Sequence, residues 1–421
     1  MRIGMQALVL AVVLLTAPLL ASAAPCRTMF GPSPIPFLFF ADPGGFSGTA
    51  ETKYFGDLLR NETAVSAYFP ACGQVAVGII LRQRVALVLT GIGPTNAGMC
   101  TQQILDKCPT SVKYAIYHGT SGWSAAVGGI ITPPMHADDT TTTCSTANAA
   151  SAVPRKTVRV GDLCISPISV NWACTQASWS QQCLSSPPGN LCFRPQYNFG
   201  PNATFLYGKC FFTSPPQAAM TLSRELMAVA RSSRFATNVP VRNAAVATQG
   251  TLYWSLMRNG TGLAYPLYTN TTMPTVFSWD TCAEIDAQFF YSGVPWDVTA
   301  RDWVSEAIRT AGFRANASAM DVVAVSAMEA IGFNQAFEQY NALARVPIGY
   351  TSVRGNSNWL HHPVTYSGNG VWDYLSGYHE DFYNGYKYAI ASYSALTLTY
   401  LQNRCITLHG RAACTFTVNY D

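Results

Sequence analysis

Val85-Ala86-Leu87-Val88-Leu89-Thr90-Gly91-Ile92-Gly93-Pro94-Thr95-Asn96-Ala97-Gly98 is the stretch from which the fold is read. Five Val/Leu-rich apolar residues form a short buried strand, two glycines turn the chain, and a helical pattern follows over residues 96–107. Glycines at such a junction let backbone N–H groups approach an anion at the helix N-terminus, although a generic tight turn uses them equally well. Tyr114-Ala115-Ile116-Tyr117 repeats the arrangement and enters His118-Gly119-Thr120-Ser121-Gly122-Trp123, a second Gly-rich loop at a strand end.

On either side of this stretch, residues 37–40, 75–81, 244–247, 289–291, 322–325 and 348–353 also read as strands. Helical patterns cover residues 218–231, 300–311, 328–343 and 383–401. Alternation at this spacing predicts an α/β chain with a central, mainly parallel or mixed sheet flanked by helices. Two regions depart from it. Residues 133–216 are rich in Thr, Ser, Pro and Cys and read as a disulfide-stapled surface insertion, and residues 253–280 as a smaller one. No repeat or linker divides the 421 residues into independent domains.

The first 23 residues read as a secretory signal peptide: a basic start at Arg2, an apolar stretch from Ala7 to Leu15, and the small-residue pattern Ala21-Ser22-Ala23. A type II membrane anchor is the alternative, but the run is short for a bilayer span and Pro18 interrupts its end. Thirteen cysteines suit an oxidising compartment. Cys164, Cys174, Cys183, Cys192 and Cys210 lie too far apart for the close CxxC pairs of a zinc site, so disulfides are expected, and the odd total leaves one thiol free or intermolecular. Five sequons, at Asn61, Asn202, Asn259, Asn270 and Asn316, agree with a secreted glycoprotein, extracellular or in a secretory-pathway lumen, vacuole or cell wall. Only 11% of residues are charged, and the net charge of +4 is spread without a basic stripe, so nothing asks for nucleic acid or an anionic membrane.

One carboxylate stands out. After Asp321-Val322-Val323-Ala324-Val325 comes Ser326-Ala327-Met328-Glu329, which puts Glu329 at a strand's carboxyl end, where open α/β sheets place their ligand crevice. A helix-opening Glu, favoured by the first-turn dipole, is the alternative reading. About thirty residues on, Val353-Arg354-Gly355-Asn356-Ser357-Asn358 reads as a polar loop.

Together these motifs resemble the nucleoside phosphorylase and nucleosidase superfamily, and particularly its secreted plant branch containing the bark storage proteins. The GIG-x-x-N-A loop is matched by residues 91–97, the G-x-x-G loop by residues 119–122, a Ser-Gly element with base-contacting aromatics by residues 292–296, the ribose-binding Met-Glu by Met328-Glu329, and the R-x-x-S-D loop by residues 354–358. The resemblance runs from about residue 75 to residue 401 and leaves the two insertions uncovered. It implies a three-layer fold with a twisted mixed sheet, and cleavage of the N-glycosidic bond of a purine-type nucleoside. Glu329 would hold the ribose hydroxyls and complement the charge that develops on the sugar. Met328 would pack beneath the sugar and Trp296 stack on the base, ordinary core packing being the alternative for both. Gly91, Gly119, Thr120 and Ser121 would surround the sugar or an anion, and Asn358 would take the catalytic, base-contacting position.

Two departures shape the chemistry. The family's hydrolases and many of its phosphorylases protonate the purine with an Asp, whereas Asn358 can donate a hydrogen bond but no proton. Hexameric phosphorylases carry an Arg where this chain has Tyr117, so phosphate, the candidate co-substrate, would lose a bidentate partner and hydrolysis is favoured. A storage or nucleoside-binding protein that keeps the fold without turnover is the rival reading. The family's water-activating acid lies in the first strand-to-helix loop. Neither Asp42, which reads as a turn residue before Pro43, nor Glu51 falls on that position. His118, His361 and His362 read as structural. No metal and no other cofactor is expected; the partners implied are a small-molecule nucleoside and, by family analogy, a second copy of the chain.

Overall fold

Every residue of the run Ile35–Ala41 from Phe37 onward is buried, because the strand it forms has a helical layer on each face. A computed structural model describes this strand among residues 35–42, 44–48, 50–108, 111–127, 156–173, 175–177, 193–195, 212–261, 273–287, 294–366, 372–374 and 381–420. In chain order the elements are β1 (Ile35–Ala41), α1 (Lys53–Leu58), β2 (Arg60–Ala64), β3 (Gln74–Ile80), β4 (Gln83–Leu89), α2 (Pro94–Lys107) and β5 (Val112–Trp123). There follow β6 (Leu163–Ser166), β7 (Ser169–Asn171), β8 (Phe212–Thr213), α3 (Thr221–Ala230), α4 (Ala244–Thr261), β9 (Val276–Ser278) and β10 (Cys282–Asp286). The last are α5 (Val294–Thr310), β11 (Val323–Ala327), α6 (Ala330–Leu343), β12 (Gly349–Trp359) and α7 (Phe382–His409).

These twelve strands form one mixed sheet in the order β8-β7-β10-β11-β5-β1-β4-β3-β2, with β12 beside β5, and β6 joining β12 to β9. β1 runs parallel to both β4 and β5, and β12 parallel to β5, while β11 meets the end of β5 antiparallel. Period-two alternation distributes the side chains of β1. Phe37 and Phe39 enter a core with Phe55 of α1, Leu222 of α3 and Leu396 of α7; Leu38 and Phe40 enter another with Ile104 of α2 and Phe333 and Phe337 of α6. Burying each of these side chains contributes about 1.5–3 kcal/mol. A third core stacks Trp172 on Trp303 of α5, ring centres 4.8 Å apart.

α6 and α2 cross in close contact because Gly332 has no side chain: a Cβ there would fall 1.9 Å from the Pro94 carbonyl oxygen. That contact brings the amino ends of both helices to one end of the sheet. Disulfides Cys72–Cys100, Cys164–Cys282 and Cys405–Cys414 staple the chain, the second joining β6 to β10. No helix among the described residues is long and apolar enough to cross a membrane.

Four expectations need correction. Residues 244–247 open the helix α4, since Val246 and Gln249, three apart, both turn inward. The stretch 118–122 is no loop but the second half of β5, and residues 353–358 belong to β12, because β5 and β12 pair from Tyr114 and Gly349 to Trp123 and Trp359. The helix expected from residue 328 begins at Ala330, leaving Met328 and Glu329 at the junction. Within 133–216, residues 158–172 run through the core rather than over the surface, and 276–278 likewise supply a sheet strand. Residues 1–23, the strand expected at 289–291, Cys174, Cys183, Cys192 and Cys210, and the sequon residues Asn202 and Asn270 lie outside the described residues. Asn61, Asn259 and Asn316 are exposed.

Candidate functional site

Arg354 is the centre of a buried cluster of charge, and the pairing of β12 with β5 puts it there. The register sets Arg354 opposite Gly119, and the guanidinium lies across that residue: a Cβ at position 119 would fall 1.8 Å from Nη1 and 2.8 Å from Cζ. Glycine is needed at 119 to make this seat. The cation stands 5.0 Å from the ring of Tyr117, two residues earlier on β5. Its Nε donates to Glu284 Oε2 of β10 at 2.9 Å and its Nη2 to Glu329 Oε2 at 3.1 Å. Arg354, Glu284 and Glu329 are 1%, 0% and 3% exposed, so these ion pairs are shielded from water. Burial opposes the Arg354 charge, but Glu284, Glu329, Tyr117 and Glu51 hold its pKa well above the usual value.

Glu329 stands at the N-cap position of α6, yet its side chain caps nothing. The helix is capped instead by Asp286 of β10, whose Oδ1 accepts from the Ala330 N–H at 3.1 Å. Freed from that role, Glu329 accepts through Oε2 from Arg354 and from the Met328 N–H at 3.3 Å. Among the described residues its Oε1 has no partner.

A second carboxylate pair closes the cluster from the segment after β1. Glu51 is 5% exposed; its Oε1 accepts from the Thr120 N–H at 2.6 Å and the Thr120 hydroxyl at 2.9 Å, and its Oε2 from the Asp42 N–H at 3.4 Å. The Tyr393 hydroxyl of α7 holds the Glu51 backbone oxygen at 2.7 Å. Asp42 Oδ1 accepts from the Tyr117 hydroxyl at 3.1 Å, which shares a 2.9 Å bond with Thr90 at the end of β4. Burial, reinforced by Glu51 and Glu329, pushes the Asp42 pKa up to about 9, so Asp42 carries a proton at neutral pH. Burial also raises Glu51 and Glu284, against the pull of Arg354 on both, and carries Asp286 well above the carboxylate range, with Glu284 adding to it.

Of the residues singled out from the sequence, Glu329, Gly119 and Thr120 meet in this cluster. Gly91, with φ of 92°, follows Thr90 in the turn from β4 to α2. Met328 is buried beside Glu329. Ser121 is buried, and among the described residues its hydroxyl has no partner. Asn358 lies on the same strand as Arg354 but four residues on, about 13 Å along it at most. A bulge between Asn356 and Asn358 re-aims it, leaving it half-buried with Oδ1 accepting from Ser357 at 2.8 Å. Trp296 is in the first turn of α5, and its side chain lies outside the described residues. His118 belongs to the core: its Nε2 bonds Thr397 at 3.0 Å, Phe39, Phe55 and Tyr393 surround it, and burial lowers its pKa to about 3. Burial likewise lowers that of His361.

Asp42, Glu51, Glu284 and Tyr117's role as a hydroxyl donor are the parts of the cluster that sequence reasoning missed. Glu284 carried one available signal, a charged residue inside an apolar stretch, Cys282-Ala283-Glu284-Ile285, that alternation does not explain.

No protein-family model matches the chain, and no curated protein matches it in sequence. Among solved structures it is similar to the 5′-methylthioadenosine/S-adenosylhomocysteine nucleosidase of Neisseria meningitidis in complex with methylthio-immucillin-A (TM-score 0.41, 11% identity, 86% of this chain and 98% of that one). It is similar also to a putative methylthioadenosine nucleosidase of Weissella paramesenteroides (0.42, 12%, 87% and 98%). A third is the corresponding nucleosidase of Colwellia psychrerythraea in complex with adenine (0.40, 13%, 88% and 95%).

Proposed function

We propose that this chain binds a purine-type nucleoside and cleaves its N-glycosidic bond with water. The observation that carries the reading is the Arg354-centred cluster, in which Glu329 is fixed through one oxygen and keeps the other for a ligand. A carboxylate so placed accepts from a ribose diol and complements the positive charge that builds on the sugar ring as the C1′–N bond breaks. In this reading Asn358, further along β12, donates to the base through Nδ2. Met328 forms the apolar floor under the sugar, and Ser121 offers its unpartnered hydroxyl.

In this mechanism the electron pair of the breaking bond leaves with the base, whose ring nitrogen Asn358 stabilises by a hydrogen bond. Water adds to C1′ and gives its proton to Glu51, which Thr120 and the Asp42 N–H orient; Glu51 then returns that proton to solvent, from which the departing base anion takes one up. Protonated Asp42 leaves one fewer negative charge beside that base. Water is preferred over phosphate because carboxylates surround the site, the Tyr117 hydroxyl is engaged by Asp42 and Thr90, and Arg354 is committed to Glu284 and Glu329. The three disulfides and exposed sequon asparagines support secretion through an oxidising compartment.

Asn358 also favours a second reading, a storage or nucleoside-binding protein of the bark-storage type, since an amide delivers no proton to the leaving base. Incubation with a nucleoside panel, with and without phosphate, followed by chromatography separates the outcomes. Free base and ribose support hydrolysis, ribose 1-phosphate supports phosphorolysis, and calorimetric binding without product supports the second reading. Neither binding nor product refutes both.

A further inference from the structure

Glu284 has no assigned role in the reaction above, yet it is a fully buried carboxylate on β10, a strand not paired with the β12 that bears Arg354. Its Oε2 accepts from Arg354 Nε at 2.9 Å, and its Oε1 is held by the hydroxyl of Ser352, which sits two residues before Arg354 on the same face of β12. Ser352 in turn contacts the Ser166 carbonyl of β6 at 2.7 Å. A guanidinium is planar, so fixing Nε together with the seat on Gly119 fixes the direction of both outer nitrogens. Nη2 then has one place to go, Glu329 Oε2. Cys164, opposite Arg354 in the β6–β12 register, is disulfide-bonded to Cys282, two residues before Glu284, so the strand of Glu284 is covalently tied to β6, the neighbour that β12 pairs with.

We propose that Glu284 is a positioning residue: by holding Arg354 at Nε it aims Nη2 at Glu329, and so leaves the second oxygen of Glu329 to the sugar. The inference rests on the nucleoside reading and assigns a function to a residue outside the sugar pocket. Its effect should be confined to the sugar. The base, contacted further along β12, should be indifferent to Glu284.

The test is isothermal titration of the full chain with formycin A, a C-nucleoside whose carbon–carbon bond to the base resists hydrolysis, and separately with adenine. Glu284→Leu, close in volume but without an acceptor, should weaken formycin A by about 30-fold, the loss of one charge-assisted hydrogen bond, and adenine by less than about twofold. Glu284→Gln keeps an acceptor for Nε and should stay within about threefold of wild type. If Glu284→Leu does not fold, Glu284→Asp decides: its shorter side chain releases Nε and should cost about tenfold for formycin A alone. Unchanged formycin A affinity in the Leu or Asp variant, equal losses for both ligands in a folded variant, or a Gln variant as impaired as Leu would each overturn the proposal. Wild-type protein that binds adenine but not formycin A overturns it too, whereas binding neither removes the nucleoside reading itself.

Discussion

Replacing Gly119 with alanine adds one methyl group at the place where the site can least accept it. The new Cβ would fall 1.8 Å from Arg354 Nη1 and 2.8 Å from Cζ. Ordinary contact is about 3.5 Å, so the guanidinium must retreat by roughly 1.5 Å or more. Its bonds to Glu284 and Glu329, at 2.9 and 3.1 Å, do not survive that movement, and all three side chains are buried. Breaking a buried ion pair costs about 3–5 kcal/mol. The backbone itself is not strained, since Gly119 has no positive φ, and an alanine there recovers about 0.4–1 kcal/mol through the unfolded chain. The net expectation is a destabilisation of about 3 kcal/mol, read as a lowered urea midpoint at unchanged slope. Gly122→Ala is the control: its Cβ would meet Asn358 Nδ2 at 3.3 Å, a contact that a small shift relieves, so it should cost less than about 1 kcal/mol. If Gly119→Ala is as stable as Gly122→Ala and keeps its nucleoside affinity, the guanidinium is not seated on Gly119 and the site's construction is wrong.

Glu329→Gln removes the carboxylate offered to the sugar and should lower kcat/KM on a purine nucleoside by about 100-fold, with adenine inhibition unchanged; steady-state kinetics checks both. Asn358→Asp supplies the missing proton donor and should raise kcat by about 10–100-fold at mildly acidic pH, with a new ionisation in the pH profile. Asp42 binds its proton more tightly in the folded state, with a pKa of about 9, than in the unfolded chain. Its contribution is therefore complete at acid pH and is lost as pH rises from the ordinary carboxylate range through about 9; Asp42→Asn should flatten that part of a stability-versus-pH curve measured by urea unfolding. Cys164→Ser with Cys282→Ser opens a crosslink spanning 118 residues and should cost about 3–5 kcal/mol in thermal or chemical unfolding.

Local pattern was sufficient for much of this molecule. The runs 37–40, 75–81 and 85–89 are continuous apolar stretches because helices cover both faces of the sheet, and that burial is written directly into composition. The junction 85–98 folds as read, with Gly93 preceding Pro94 at the first position of α2. Glu329 could be placed at a strand end because the apolar run before it fixes where the strand stops.

Pairing across the sheet was not legible. Residues 118–122 and 353–358 look like polar, glycine-rich loops in isolation, but each satisfies the other's backbone as β5 and β12, and only that register sets Gly119 beneath Arg354. The helix reading of Glu329 is settled by a residue 43 positions earlier, Asp286, which takes over the cap. Asp42 read as a turn residue and Glu51 fell on no expected position until β1 ran parallel to β5 and brought them to Tyr117 and Thr120. Which segments are buried and where the strands end can be read along the chain, because hydrophobicity is a property of single residues and their spacing. Tertiary structure alone decided which carboxylates share one arginine, because charges meet through strand register across dozens to hundreds of residues, and no local pattern records that distance.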